Sequence, residues 1–217
     1  MRRRQLHHLV LACLTVVSLS AAIVYGPAAQ ALDRFSIVSA YVCFALFAGA
    51  LLLGPLRAIR GGRPSTNDYL RRDIGVWAAL IGIAHLVNAT GLSMDASYLD
   101  AYVNGTSKAP SEGVRTQLFA WGSILGFVVG LVFLMLLALS SNQAIRLLGP
   151  RLWKKLQRTS YLAFALSAIH GFAFQILESR EWILIAVILL TVALVIAAQL
   201  MGVMAVRRTT DTQSSVN

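Results

Sequence analysis

The sequence predicts an all-α protein, a polytopic membrane bundle of six transmembrane helices with both termini cytoplasmic. Three observations carry that expectation. The chain has 217 residues, of which 57% are hydrophobic and only 13% charged, against about 25% charged in a soluble domain. Six apolar runs approach or reach the roughly 20 residues that a helix needs to cross a hydrocarbon core, and none of them contains Asp, Glu, Lys or Arg. Basic residues then alternate from one connecting segment to the next, dense on one side and sparse on the other.

The first run, Leu9–Gly26, follows Arg2, Arg3 and Arg4. With Ala29-Gln30-Ala31 behind it, it has the outline of a secretory signal. Its length exceeds the usual signal core, so a retained helix is expected; cleavage would leave five spans in the same orientation. The second and third runs are Ser36–Gly54 and Ile74–Leu92, joined by a segment broken by Gly61, Gly62 and Pro64. Leu118–Ser140 forms the fourth, after the longest connection, Ser93–Gln117. That outer loop carries Asp95, Tyr98, Asp100, Tyr102 and Glu112, and spells a glycosylation sequon at Asn104-Gly105-Thr106. The fifth and sixth runs are Tyr161–Leu177 and Trp182–Val206. A backbone in lipid must satisfy its own hydrogen bonds, so each run is read as a helix.

Charge checks the count. Fifteen of the 19 basic residues precede the first run, lie between runs two and three or four and five, or follow the sixth; only Arg34, Lys108, Arg115 and Arg180 fall on the opposite side. This is the positive-inside pattern of a multi-pass protein of the plasma (inner) membrane, and it works only with all six spans. It also accounts for the net charge of +10 without nucleic acid as a partner. Residues 1–217 form a single membrane domain, and 207–217 read as a short disordered cytoplasmic tail. No Gly-rich dinucleotide fingerprint occurs, so no nicotinamide or flavin domain is expected in this chain. Cys13 and Cys43 show no metal-ligand or redox spacing and are expected as small buried hydrophobes.

Gly122, Gly126 and Gly130 recur at four-residue spacing in the fourth span, and Ala163, Ser167 and Gly171 in the fifth. Such stripes let neighbouring helices approach closely.

Four histidines remain. His7 and His8 are expected to be solvated at the lipid surface beside the basic N-terminus. His85 and His170 lie inside spans three and five, where an ionisable residue marks a functional site by default. Both spans start on the basic side. His85 lies 13 residues after Arg72 and His170 12 residues after Arg158, so each sits roughly 18–20 Å along its helix from that flank. Two imidazoles at one depth are what a b-type haem needs as axial ligands. Trp77, Phe172 and Phe174 are candidate walls, although aromatics in spans more often only pack. Asn88, one turn beyond His85, is expected to bond a neighbouring helix. Zinc fits less well, because it normally takes four ligands and the spans hold no carboxylate.

At these residues the chain resembles a known family. RRDIGVWAALIGIAHLVNA (71–89) looks like the third helix of the ferric-reductase-like transmembrane family. LSSNQAIRLLGPRLWKKLQRTSYLAFALSAIHGFAF (139–174) resembles the matching segment of the bacterial MsrQ/YedZ proteins, haem-binding membrane subunits of a periplasmic methionine-sulfoxide reductase system; LLLGPLRAIRG (51–61) also fits. The resemblance implies a transmembrane b-haem electron conduit with His85 and His170 as axial ligands. A further family histidine near the start of the fifth helix is matched here by Gln157, which does not readily replace imidazole on iron, so one haem is supported. The long outer loop is a second departure.

The expected function is therefore an electron-transfer subunit of an oxidoreductase, without substrate chemistry at its own iron. It would pass electrons from a cytoplasmic flavoprotein or quinol donor to an outer-side, periplasmic acceptor, with flavin or quinone as possible further cofactors. The rival readings are a transporter, which would favour carboxylates and broken helices at mid-membrane, and a structural subunit whose histidines only bond neighbouring helices.

Overall fold

A computed structural model describes residues 2–25, 31–62, 69–93, 114–177 and 181–214. The body of the long outer loop with its sequon, and Ala29 and Gln30 of the cleavage-like stretch, lie outside these residues. The described helices are α1 (Arg2–Tyr25), α2 (Ala31–Ile59), α3 (Tyr69–Ser93), α4 (Val114–Ala138), α5 (Asn142–Gln157), α6 (Thr159–Leu177) and α7 (Trp182–Ser214); no strand occurs among the described residues. Five stretches are long and apolar enough to cross a membrane: Arg34–Ile59, Tyr69–Thr90, Gln117–Ala138, Asn142–Leu177 and Trp182–Arg208. The expected first span, Leu9–Gly26, falls on α1 and is not among these five. Helix α7 continues through Arg207 and Arg208 to Ser214, into the segment read from sequence as a tail.

Helix α2 is the hub, packed against α1, α3, α6 and α7, while α4 packs against α3 and α6. Small residues set the approach. Ala78 and Ala79 on α3 and Ala163 on α6 are almost wholly buried, and a Cβ at Gly82 would lie 2.5 Å from the Phe133 ring and 3.0 Å from Cys43 Sγ. In lipid, such contacts supply the helix–helix attraction that water supplies elsewhere. Aromatic rings fill the centre. Phe44 stacks on Phe164 with centroids 4.8 Å apart, and Phe47 meets Phe133 and Phe164 edge-on at 5.1 and 5.7 Å. Large apolar side chains on the outer faces of α4 and α7, such as Trp121, Phe127, Leu190 and Leu200, are exposed, as lipid-facing surfaces should be.

Helix α5 differs in kind. Ser141 caps it, its hydroxyl accepting from the Ala144 N–H at 3.0 Å, which satisfies one of the orphan donors at a helix start. Gly149 adopts φ +72° immediately before Pro150 and breaks the helix in two; proline disfavours a helical residue before it. Trp153 ties the second half back by donating Nε1–H to the Leu139 carbonyl at 2.8 Å. The exposed side chains Arg146, Leu147, Arg151, Leu152, Lys154 and Lys155 mix cations with leucines, the composition of a helix lying in a membrane interface.

Candidate functional site: a facing histidine pair

Helices α3 and α6 make almost no contact of their own, yet α2 and α4 each pack against both. His85 on α3 and His170 on α6 bring their rings together between these helices. Their ring centroids are 6.3 Å apart with planes at 77°. No helix intervenes between them.

Each ring is held through Nδ1. His170 Nδ1 lies 2.7 Å from the carbonyl oxygen of Gly122 on α4. His85 Nδ1 lies 3.0 Å from the Ser36 carbonyl and 3.2 Å from the Ser39 hydroxyl, both on α2, and Ser39 in turn donates to Ser36 O at 3.0 Å. A carbonyl oxygen only accepts, so both Nδ1 atoms must carry hydrogen. That fixes the tautomer and leaves both Nε2 atoms with a free lone pair. An imidazole that donates its other N–H to a carbonyl is the usual partner arrangement of a metal-bound histidine. Phe174, a candidate wall residue, packs on His170 with centroids 5.0 Å apart and on Phe119 at 5.8 Å. Phe172, the other candidate wall residue on α6, is exposed.

Two ligand atoms suit a planar cofactor that supplies four of its own. They do not suit an ion bound by protein alone: among the described residues no group of three or more His, Cys, Asp or Glu side chains could hold a metal. The residues present therefore fit a haem better than zinc.

A second cluster was not foreseen. Asp73 is fully buried at the start of α3, and α1 delivers three basic side chains to it. Arg4 donates Nε–H to Oδ1 at 3.2 Å, and the Arg4 guanidinium also lies over the Tyr69 ring. His8 Nε2 is 3.3 Å from Oδ1. Trp77 donates Nε1–H to His8 Nδ1 at 3.2 Å, so Nδ1 is the acceptor and a neutral His8 presents Nε2–H to the carboxylate. His7 Nδ1 lies 3.4 Å from Oδ2 without hydrogen-bond geometry. The expectation that His7 and His8 are merely solvated is thus corrected, and Trp77 belongs to this cluster rather than to the wall beside His85. The overlooked signal was a carboxylate directly after Arg71 and Arg72 at the edge of an apolar run.

Other expectations divide. Cys43 is buried and donates Sγ–H to the Ala78 carbonyl at 3.2 Å, whereas Cys13 is exposed on α1. Gln157 is the partly buried last residue of α5. Sequence spacing also gave no hint of a polar link near the other end of the bundle: Gln175 Nε2 donates to Tyr41 Oη at 2.8 Å, and Tyr41 donates to the Leu184 carbonyl at 3.2 Å, joining α6, α2 and α7.

Fold and site together define a multi-pass helical membrane protein built around two facing imidazoles. Residues 37–168, more than half of the chain, match the model of the ferric reductase like transmembrane component. The chain belongs to that family, which marks it as a membrane electron-transfer component. The match takes in His85 and stops two residues short of His170. No curated protein and no solved structure matches the chain significantly.

Proposed function

We propose that the chain holds one b-type haem between His85 and His170 and passes electrons across the bilayer. The observation that supports this reading is the spacing of the two rings, 6.3 Å between centroids. Two metal–imidazole bonds of about 2 Å each, with the ring radius added at either end, set such centroids about 6 Å apart. Bound haem supplies a one-electron iron couple whose potential follows axial ligands and burial. The residues of the chain do the rest. His85 and His170 present Nε2, while Ser36, Ser39 and Gly122 hold the protonated Nδ1 atoms and so prevent either ring from turning. Neutral imidazoles are carried in the apolar bundle at far lower cost than charged ligands would be. A haem held by these two imidazoles would have no position left for substrate, which favours electron transfer over chemistry at the metal.

On this reading the chain is the membrane subunit of a reductase system in a bacterial inner membrane, of the MsrQ type. Electrons enter from a cytoplasmic flavoprotein or quinol and leave to an acceptor outside. The resemblance at 139–174 and the one-sided distribution of basic residues support that direction, with both termini cytoplasmic. Gln157 supports a single haem.

The test is optical. Protein purified from haem-replete cells should show a Soret band, with split α and β bands on reduction. His85→Ala and His170→Ala should each remove the low-spin spectrum, while His7→Ala and His8→Ala leave it. A colourless wild-type preparation, or low-spin spectra retained in both intramembrane variants, would overturn the reading.

A further inference from the structure

The glycines of α4 are spaced as a helix-packing stripe, but their neighbours differ. A Cβ built on Gly130 meets the side chain of Leu86, its Cδ2 2.5 Å away, and one on Gly122 meets the Phe174 ring at 3.0 Å. At Gly126 the three nearest heavy atoms all belong to one imidazole: His170 Cε1 at 2.6 Å, Nδ1 at 2.8 Å and Nε2 at 3.3 Å. Close approach of two backbones is therefore not what keeps a side chain away from position 126. The space is taken by the ring itself.

We propose that Gly126 is the positioning residue for His170, a seat one turn beyond the Gly122 carbonyl that orients the imidazole for the haem iron. The inference rests on the haem reading above. The seat has three sides. Gly126 lies against the Cε1 corner of the ring, Gly122 O receives Nδ1–H at 2.7 Å, and the Phe174 ring packs on it with centroids 5.0 Å apart. A histidine has two side-chain torsions, and in this seat both are fixed. An added methyl at position 126 would meet the ring well inside ordinary contact distance and would have to shift it against the Gly122 carbonyl that holds Nδ1. The same methyl at Gly130 meets the far end of a flexible leucine, which turns aside at little cost.

The two glycines thus make a matched pair on one helix, differing in what the methyl would strike. In full-length protein purified from haem-replete cells, Gly126→Ala should lower low-spin haem affinity by about tenfold or more, as overpacking against a ring that cannot yield implies. Its EPR g-values should shift, with a high-spin fraction appearing. Gly130→Ala should keep the wild-type g-values and stoichiometry. Adding Phe174→Leu to Gly126→Ala replaces the aromatic ring packed on His170 with a flexible side chain, gives the imidazole room to shift, and should recover low-spin haem. If Gly126→Ala does not accumulate in membranes, Phe174→Leu alone carries the test, because it removes one wall of the seat and should shift the g-values with haem retained. Wild-type g-values in Gly126→Ala, equal losses in the two glycine variants, or unmoved g-values in Phe174→Leu would overturn the assignment of the seat. Absence of haem from the wild type would instead remove the reading beneath it.

Discussion

The side-chain amide of Gln199 on α7 donates to the carbonyl of Leu51 on α2 at 2.9 Å. That oxygen is the one that Pro55 deprives of its helical donor, since proline has no N–H to return to the residue four positions earlier. In lipid no water stands ready to replace the lost bond. Helix α7 supplies the donor from outside, and it can come close because Gly202 lies against Pro55, where an added Cβ would sit 2.7 Å from the proline Cβ. A helix defect and its repair are therefore carried by two different helices. Gln199→Leu should destabilise the detergent-solubilised protein by about 1–3 kcal/mol, the range for orphaning a buried acceptor. Pro55→Ala restores the N–H, so in that background the same leucine should cost clearly less. Thermal or denaturant melts of the four proteins check this, and additive effects would mean that the amide does not compensate the proline.

The cluster around Asp73 makes an asymmetric prediction. Its carboxylate is fully buried, while the side chains of Arg4, His7 and His8 are each about one-third or more exposed. Removing the buried charge leaves cations that water or headgroups can still solvate, and screening makes such exposed charges weak contributors. Removing the donors leaves an uncompensated carboxylate in the interior, which is the costly case. Arg4→Ala combined with His8→Ala should therefore destabilise more than Asp73→Asn, and adding Asp73→Asn to the double variant should recover part of the loss. Melting temperature is one readout. Protease sensitivity of α1 is the second, because those two donors tie α1 to α3. Equal destabilisation by the two changes would show that the carboxylate carries no buried charge.

How much of this could be read from residues alone depended on which geometric quantity was needed. The level of the two rings relative to each other was legible: a fixed rise per residue from the basic flanks puts His85 and His170 at matching heights, and their rings do face each other. Direction around the helix axis was not. Spacing places Gly122, Gly126 and Gly130 on one face, but it does not say that the middle one faces an imidazole. It likewise gave no sign that Ser36 and Gly122 offer their carbonyls to the two rings. Asp73 was missed because it sits one residue outside an apolar run, where a carboxylate looks like part of a solvated loop. Only the docking of α1, which no periodicity encodes, buries it. Helix α5 was hidden by its own break, since Gly149 and Pro150 read as a connection rather than as a bend within a helix.

Gln157 bears on cofactor number. The family resemblance places a histidine there, and a carboxamide is a poor ligand for haem iron. Gln157 is partly buried at the end of α5, next to the turn into α6. Gln157→Ala should therefore leave haem stoichiometry at one per chain and the reduced α band unshifted, as measured by pyridine haemochrome against protein. Loss of a haem in that variant would mean that glutamine is itself a ligand or that the chain holds a second cofactor.

The two cysteines offer a direct check on how the helices are packed. Cys43 lies in the crowded contact between α2 and α3, its thiol donating to Ala78 O and its sulfur 3.0 Å from where a Cβ on Gly82 would stand. Cys13 lies exposed on α1. Thiol reagents attack the thiolate and need access to it, so a small, micelle-permeant maleimide applied to the folded protein in detergent should modify Cys13 well before Cys43, as mass spectrometry would show. Cys43 should react only after denaturation. Gly82→Ala forces a methyl between Cys43 and the Phe133 ring, 2.5 Å away, and should make Cys43 reactive under native conditions by prising α3 from α2 and α4. Ready modification of Cys43 in the unaltered chain would mean that α2 and α3 do not meet as described, and with that contact would go the anchoring of His85 on Ser36 and Ser39.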